Sequence, residues 1–174
     1  MTIASPLGEL VVTRATVSDA PAVRALRDEL ARWMAQRGIR QWSPGDMPEE
    51  WIEVCITFGA VYLVRHDDRL VGSVTIVEND PLIWGKRPDP AGYIHMLMVD
   101  RGVAGHGIGR LILEWAEGSI VAAGHRLARL DCVHANVTLR AYYERAGYRF
   151  VGTKTFPDLA WADDTALFEK PLAP

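Results

Sequence analysis

A run of closely spaced glycines between an apolar stretch and an amphipathic stretch limits most strongly how this chain can fold. The run is Gly105-His106-Gly107-Ile108-Gly109-Arg110, and it follows the apolar stretch Leu97-Met98-Val99. Beyond the glycines, apolar residues recur at the spacing of one helix face: Ile108, Leu111, Ile112 and Trp115. The backbone is therefore predicted to turn sharply from a strand into a helix, at a place where no Cβ atom obstructs it.

Such a turn is suited to binding an anion. The first amides of a helix have no partner within the helix, and the helix dipole adds positive charge at the same place. Together these features predict a phosphate or pyrophosphate site at residues 105–109, with a plain glycine-rich turn as the alternative. A dinucleotide fingerprint would need glycine or alanine at Arg110, and a P-loop would need Gly-Lys-Ser/Thr after the turn. The residues present fit neither nucleotide motif.

The rest of the chain predicts one mixed α/β (α+β) domain over residues 1–174. Strands are predicted over residues 9–16, 60–65, 70–77, 93–99, 127–133, 148–154 and 165–169. Helices are predicted over residues 18–38, from residue 46 onward, over 108–124 and over 136–146. Residues 79–92 contain three prolines and are predicted to form a loop. In the fourth strand, alternation predicts one face shared by Tyr93, His95, Leu97 and Val99.

Charge and cysteine usage exclude several classes of protein. The formal net charge of −3 gives no electrostatic reason to bind nucleic acid or an anionic membrane. No stretch approaches the ~20 apolar residues that a membrane-spanning helix needs, and no signal peptide is recognisable at the start. Cys55 and Cys132 lack metal-ligand spacing and are expected to be buried thiols. We therefore expect a cytoplasmic enzyme or binding domain without metal, either a monomer or a homodimer.

A second motif lies downstream of the glycine turn. Asn136 is followed seven residues later by Tyr143 and then by Gly147-Tyr148, within NVTLRAYYERAGY. Together with Leu97-Met98-Val99 and the glycine turn, this motif resembles the GNAT superfamily of N-acetyltransferases. The resemblance extends from about residue 10 to residue 170. It implies a mostly antiparallel sheet flanked by helices and splayed between its fourth and fifth strands, with coenzyme A in the cleft.

The resemblance implies that acetyl-CoA is the co-substrate. It assigns hydrogen bonds with the pantetheine arm to the backbone of Leu97, Met98 and Val99, and phosphate binding to the turn that ends at Arg110. Asn136 is expected to contact the cofactor, although Asn is also a good helix N-cap.

At Ala104 the family usually has Gln or Arg. One side-chain contact to the cofactor is therefore expected to be missing, or to be supplied by Arg101, His106 or Arg110.

The resemblance makes Tyr143 the general acid, in contact with the departing thiol of the cofactor. Packing in the core is the alternative role, and the spacing from Asn136 selects Tyr143 over Tyr142. The general base stays open between His95, Asp131 and a water molecule. Imidazole has an ordinary pKa suited to this task, and Asp131 lies on the strand where other members carry a catalytic glutamate.

The expected reaction is direct transfer of an acetyl group to a primary amine of a small molecule. Trp42, Trp51 and Trp84 lie in or beside segments that would roof the acceptor site, where indoles can form an apolar or cation-binding wall. Two other functions remain open. One is acetylation of protein or peptide N-termini, and the other is a regulatory, non-catalytic coenzyme A-binding module.

Overall fold

The computed structural model describes residues 1–156 and 164–173, in which eight strands form one sheet. The strands are β1 (Thr2–Ser5), β2 (Gly8–Arg14), β3 (Ala60–His66), β4 (Arg69–Val77), β5 (Gly92–Val99), β6 (Leu127–Val133), β7 (Arg149–Lys154) and β8 (Thr165–Pro171). The helices are α1 (Ala20–Ala35), α2 (Glu49–Phe58), α3 (Pro81–Trp84), α4 (Ile108–Ala122) and α5 (Val137–Arg145). The strand order is β1-β2-β3-β4-β5-β6-β8-β7, and only the β5–β6 pair is parallel within the described sheet. The predicted mixed α/β class is confirmed.

Helices cover both faces of the sheet. In β3, Val61 and Leu63 pack in the apolar cluster of α1 and α2, whereas Val64 packs in the cluster of α4 and α5. Helix α4 approaches the sheet closely because Gly72 and Gly92 lie beneath it. A Cβ atom at either glycine would lie 2.6 Å or less from a side chain of α4. This close approach fixes the N-terminus of α4 beside the end of β5.

The sheet splits between β5 and β6, as the family resemblance implies. Pairing covers Gly92–Ile94 against Ala128–Leu130 and extends no further among the described residues. At the paired end, the buried Arg129 side chain donates hydrogen bonds to the Tyr93 hydroxyl and to Glu169 of β8. The remaining halves of β5 and β6 therefore border a gap. They are the fifth and sixth strands rather than the fourth and fifth, because the short polar strand β1 was not predicted.

A β-bulge in β5 reverses the side-chain alternation that the sequence predicts. Ser73 of β4 pairs with Met98 and Thr75 pairs with His95, so β5 holds one extra residue there. Met96 adopts a left-handed conformation with a φ of 46°. As a result, Leu97 and Val99 pack on the α4 side together with Ile94, whereas Tyr93 packs on the opposite side. The prediction that Tyr93, His95, Leu97 and Val99 share one face is therefore wrong.

Three smaller findings concern the predicted loop 79–92, the two cysteines and membrane-spanning helices. The predicted loop 79–92 contains the short helix α3, whose first turn is capped by Asp80. Cys132 is a buried free thiol as expected, but Cys55 is only partly buried. Among the described helices, none combines the length and apolar character that a bilayer crossing requires.

Candidate active site

A cleft of about 980 Å³ opens where β5 and β6 separate. Most of the residues singled out from the sequence line it: His95, Leu97, Val99, Gly105, Gly107, Ile108, Gly109, Arg110, Asp131, Asn136 and Tyr143. Two of them lie elsewhere. The Met98 side chain is buried in the α1–α2 cluster, and His106 is exposed outside the cleft with its Nδ1 atom 3.2 Å from the Val103 carbonyl oxygen.

The glycine turn presents backbone groups to the cleft. Gly105 and Gly107 have φ values of +86° and +73°, in the left-handed region that favours glycine, and each faces open space where a Cβ atom would lie. Helix α4 begins at Ile108. In the described part of the chain, no backbone carbonyl accepts a hydrogen bond from the amides of residues 105–109. These amides and the helix dipole form a concave site with positive potential, which suits a phosphate group.

Two arginines line the cleft near this turn but differ in their partners. The Arg110 Nε atom donates a hydrogen bond of 2.6 Å to Glu114, which neutralises much of its charge. The guanidinium of Arg101 lies 4.0 Å from the ring centroid of Trp33, and no described carboxylate pairs with it. Arg101 is therefore the cleft arginine whose charge remains available to an anionic ligand.

Tyr143 of α5 is held in a fixed position by aromatic neighbours. Its side chain is buried, and its ring contacts Phe168, Tyr148 and Tyr142 with centroid distances between 5.5 and 6.1 Å. Burial raises the pKa of the Tyr143 phenol above its ordinary value. The phenol therefore stays protonated and can donate a hydrogen bond into the cleft.

Tyr142 also lines the cleft, although the motif spacing favoured its neighbour. Its hydroxyl is buried without a hydrogen-bond partner among the described residues. A Cβ atom added to Gly109 would lie 3.2 Å from this hydroxyl, so Tyr142 packs against the start of α4. The two adjacent tyrosines thus lie at different parts of the cleft, one at the turn and one in the aromatic cluster.

Three titratable side chains meet on the α1–α2 side of the gap. His95 lies between two carboxylates, with its Nε2 atom 3.4 Å from Asp80 Oδ2 and its Nδ1 atom 3.7 Å from Asp131 Oδ2. Burial raises the pKa of Asp131 to about 6, with Asp80 adding to the rise and His95 opposing it. The gap thus brings His95 and Asp131, the two candidate bases, close together.

Asp80 was missed by the sequence analysis, where it appeared only as part of a loop. Its Oδ1 atom accepts the Ile83 amide at the start of α3, while Oδ2 faces His95. The available signal was the order Asp80-Pro81, which is typical of a helix start.

The same three side chains have donor atoms within 4.8 Å of one another, a distance compatible with metal ligation. However, the two carboxylates approach opposite nitrogens of the imidazole, and one ion can use only one of these nitrogens. This arrangement therefore suits proton transfer better than three-point coordination.

Asn136 caps a helix and also borders the cleft. Its Oδ1 atom accepts the Leu139 amide at the start of α5, and its Nδ2 atom lies 3.4 Å from Gln41 Oε1. The same oxygen of Gln41 accepts the Val133 amide of β6. The segment between α1 and α2 is thereby tied across the gap to the far strand, an interaction that no local sequence pattern signals.

The tryptophans divide into two groups. Trp42 and Trp51 line the cleft, and Trp33 joins them. Trp84 does not line the cleft, because it is buried against Tyr93 and beneath the guanidinium of Arg129. The expectation for Trp84 is therefore corrected, and this residue stabilises the paired end of β5.

Known proteins resemble this chain in both sequence and fold. The profile of the Acetyltransferase (GNAT) family matches residues 24–148. The uncharacterized N-acetyltransferase YesJ of Bacillus subtilis (strain 168) is 32% identical over 165 residues, which cover 91% of this chain and 88% of that protein. A GNAT-family acetyltransferase structure from Listeria monocytogenes 4b F2365 superposes with a TM-score of 0.82 and 28% identity, over 99% of this chain and 100% of the other.

A more distant structure contains a ligand. It is a GNAT-family acetyltransferase from Elizabethkingia anophelis with acetyl-CoA bound, and it covers 94% of this chain and 98% of its own. The TM-score is 0.67 and the identity 16%, so this likeness concerns the fold.

Proposed function

Because this chain belongs to the GNAT family of N-acetyltransferases, we propose that it transfers acetyl from acetyl-CoA directly to a primary amine of a small molecule. We also propose that the whole chain is a single domain of this kind. One observation carries the proposal. A backbone anion site, a buried neutral phenol and a carboxylate–imidazole cluster line the same cleft, at the gap in the sheet.

The cleft fits the chemistry of acetyl-CoA along its length. Beyond Ile94, β6 no longer pairs with β5, so backbone groups of β5 are free to bind the amide-containing pantetheine arm like an added strand. The amides of residues 105–109 would then hold the pyrophosphate. Arg101 supplies the cationic side chain that Ala104 lacks, since Arg110 is paired with Glu114 and His106 lies outside the cleft.

His95 is the proposed base in this reaction. It accepts a proton from the acceptor ammonium, and the Asp80 and Asp131 carboxylates stabilise the imidazolium that forms. The neutral amine attacks the thioester carbonyl carbon, a C–N bond forms, and the C–S bond breaks. In total the ammonium loses two protons. One ends on the departing sulfur and the other leaves through the base to solvent.

Tyr143 is the proposed acid. The phenol donates its hydrogen bond, and then its proton, to the thiolate as the C–S bond breaks. Its raised pKa keeps the phenol protonated at neutral pH and favours its reprotonation after each turnover.

Two linked measurements test the proposal. Acetyl-CoA at millimolar concentration is expected to raise the melting temperature, because it binds only the folded protein. Release of free thiol from acetyl-CoA is then expected to depend on an added primary amine, with the acetylated amine detected by mass spectrometry. Binding without thiol release, across amines and peptides, would leave a coenzyme A-binding module and contradict the enzymatic proposal.

A further inference from the structure

The acceptor half of the cleft has an unusual charge distribution. We define it as the cleft-lining residues between 30 and 77, which come from α1, α2, the segments that follow these helices, and the C-terminal end of β4. None of these described lining residues carries a formal charge. Gln41 and Thr75 supply its amide and hydroxyl groups, and the Gln41 oxygen already accepts the Val133 amide.

Helix α2 adds an exposed apolar stripe to this wall. Trp51, Val54 and Phe58 recur at helical spacing, line the cleft, and are 62%, 45% and 84% exposed. The opposite face of α2 is buried through Ile52 and Ile56. The stripe is therefore not the core-facing side of the helix, and it lines the same cleft as His95 and Asp131. Exposed apolar side chains grouped in this way are typical of ligand-binding surfaces.

Among the described residues that line the cleft here, negative charge is confined to the inner end. Asp131 lines the cleft there, with His95 beside it and Asp80 behind the imidazole. An acceptor with one ammonium group can place it at this end. A second ammonium, or several hydroxyl groups, would lie against the uncharged wall and lose hydration without gaining a partner.

We propose, on the basis of the function proposed above, that the acceptor is a primary monoamine with an apolar aryl or branched-alkyl body. The ammonium group lies at Asp131 and His95, and the body lies along Trp51, Val54 and Phe58. Charge complementarity at one end and apolar contact along the rest select this class over polyamines, aminoglycosides and peptide N-termini.

A substrate panel gives the first test. Thiol release is measured with 2-phenylethylamine, tryptamine and 3-methylbutylamine, and with spermidine, kanamycin and an alanine-initiated peptide. The three apolar monoamines are expected to exceed the polar acceptors in kcat/KM by at least tenfold, the scale of apolar discrimination in a pocket. Equal or faster acetylation of spermidine, kanamycin or the peptide overturns the inference while leaving the acetyltransferase proposal intact.

A matched pair of variants gives the second test. Val54→Glu places a carboxylate on the stripe, and Val17→Glu makes the same change at a site that is 49% exposed and outside the cleft. The stripe variant is expected to raise KM for 2-phenylethylamine about tenfold with little change in kcat. The control is expected to match the unmodified protein. Equal KM values for the two variants would contradict the inference.

Two further readouts separate the remaining outcomes. The first is quenching of tryptophan fluorescence by 2-phenylethylamine. Saturable quenching that Val54→Glu weakens would support the proposed class of acceptor. If no amine were acetylated as well, that absence of turnover would contradict only the proposed function. Sedimentation is run in parallel. A dimer that Val54→Glu dissociates would assign the stripe to a second copy of the chain and overturn the inference.

Discussion

The two halves of the cleft are built in different ways. The half proposed to bind the cofactor, at residues 97–110, depends on backbone: glycines at positive φ, amides of residues 105–109 with no backbone partner in the described part of the chain, and the dipole of α4. The acceptor half depends on side chains: the carboxylates beside His95 and the apolar wall of α1 and α2. A site formed by backbone groups accepts only a few residue types, so it can be recognised in the sequence as a motif. A site made of side chains can use many combinations, so substrate choice can change without changing the fold.

Among the variants that test this difference between the two halves, Gly107→Val is expected to have the largest effect. A branched side chain at a φ of +73° costs ~1–2 kcal/mol, and it projects into the space in front of the amides. With the lost hydrogen bonds to phosphate, affinity for acetyl-CoA should fall roughly 10³-fold. Calorimetry provides the measurement. Gly118→Val, at an exposed helical glycine of α4, is the control and should bind normally. Unchanged affinity in Gly107→Val would place the phosphate site elsewhere.

Tyr143→Phe tests the acid at the junction of the two halves. The ring and its aromatic contacts are kept, so acetyl-CoA affinity should be unchanged while kcat falls about 10²-fold. Steady-state kinetics at saturating acetyl-CoA measure the effect. Tyr142→Phe is the matched control. It removes a buried hydroxyl that has no hydrogen-bond partner among the described residues and should retain kcat. Full turnover by Tyr143→Phe, with chemistry limiting the rate, would rule out the acid role.

Asp131→Asn sharpens the comparison on the acceptor side. At a pH above 6 the loss of the negative charge beside the amine is expected to lower kcat/KM about tenfold. The dependence of kcat/KM on pH near 6 should also be weaker in the variant, because the ionisation of Asp131 no longer contributes to it. An unchanged pH profile would show that Asp131 does not contribute to this dependence.

The same variant is expected to gain stability at high pH. The pKa of Asp131 is raised from 3.8 to about 6, so the folded state binds this proton more tightly than the unfolded state. The stabilisation is present below pH 4 and is lost as the pH rises through 6. The free energy of unfolding of Asp131→Asn, relative to the unmodified protein, should therefore rise between pH 4 and pH 8, by up to about 2 kcal/mol. Urea unfolding at both pH values tests this.

Arg101→Ala should give the smallest effect, because this side chain is an exposed addition to a site made of backbone. An exposed charge contributes about 0.2–1 kcal/mol, so KM for acetyl-CoA should rise roughly threefold. The rise should shrink as salt is added. Arg110→Ala, which removes an arginine already paired with Glu114, should change KM less. The reverse order would assign the cofactor contact to Arg110.

The contrast between the halves also explains what the sequence could predict. The turn and the start of α4 follow from glycine spacing and a strand–helix pattern, which act locally along the chain. The split sheet was expected only from the family resemblance, because pairing between β5 and β6 is not a local property. The N-cap role of Asn136 could also be predicted from local sequence, because Asn is a favoured residue immediately before a helix.

Other features depend on contacts that no local pattern encodes. The bulge at Met96 places a residue other than glycine in a left-handed conformation, and it changes which side chains of β5 share a face. The interaction of Gln41 with Val133 joins residues more than ninety positions apart. Asp80 reaches His95 only because α3 forms within the proline-rich segment.

The bulge at Met96 has a consequence for the two ligands proposed for the cleft. It turns Leu97 and Val99 toward α4, whereas His95 faces Asp80 and Asp131 on the other side of β5. One short strand segment therefore presents the proposed cofactor-binding residues and the proposed base to opposite faces of the sheet. Regular alternation would place all three side chains on one face. This separation is compatible with both ligands being bound at the same time, as direct transfer requires.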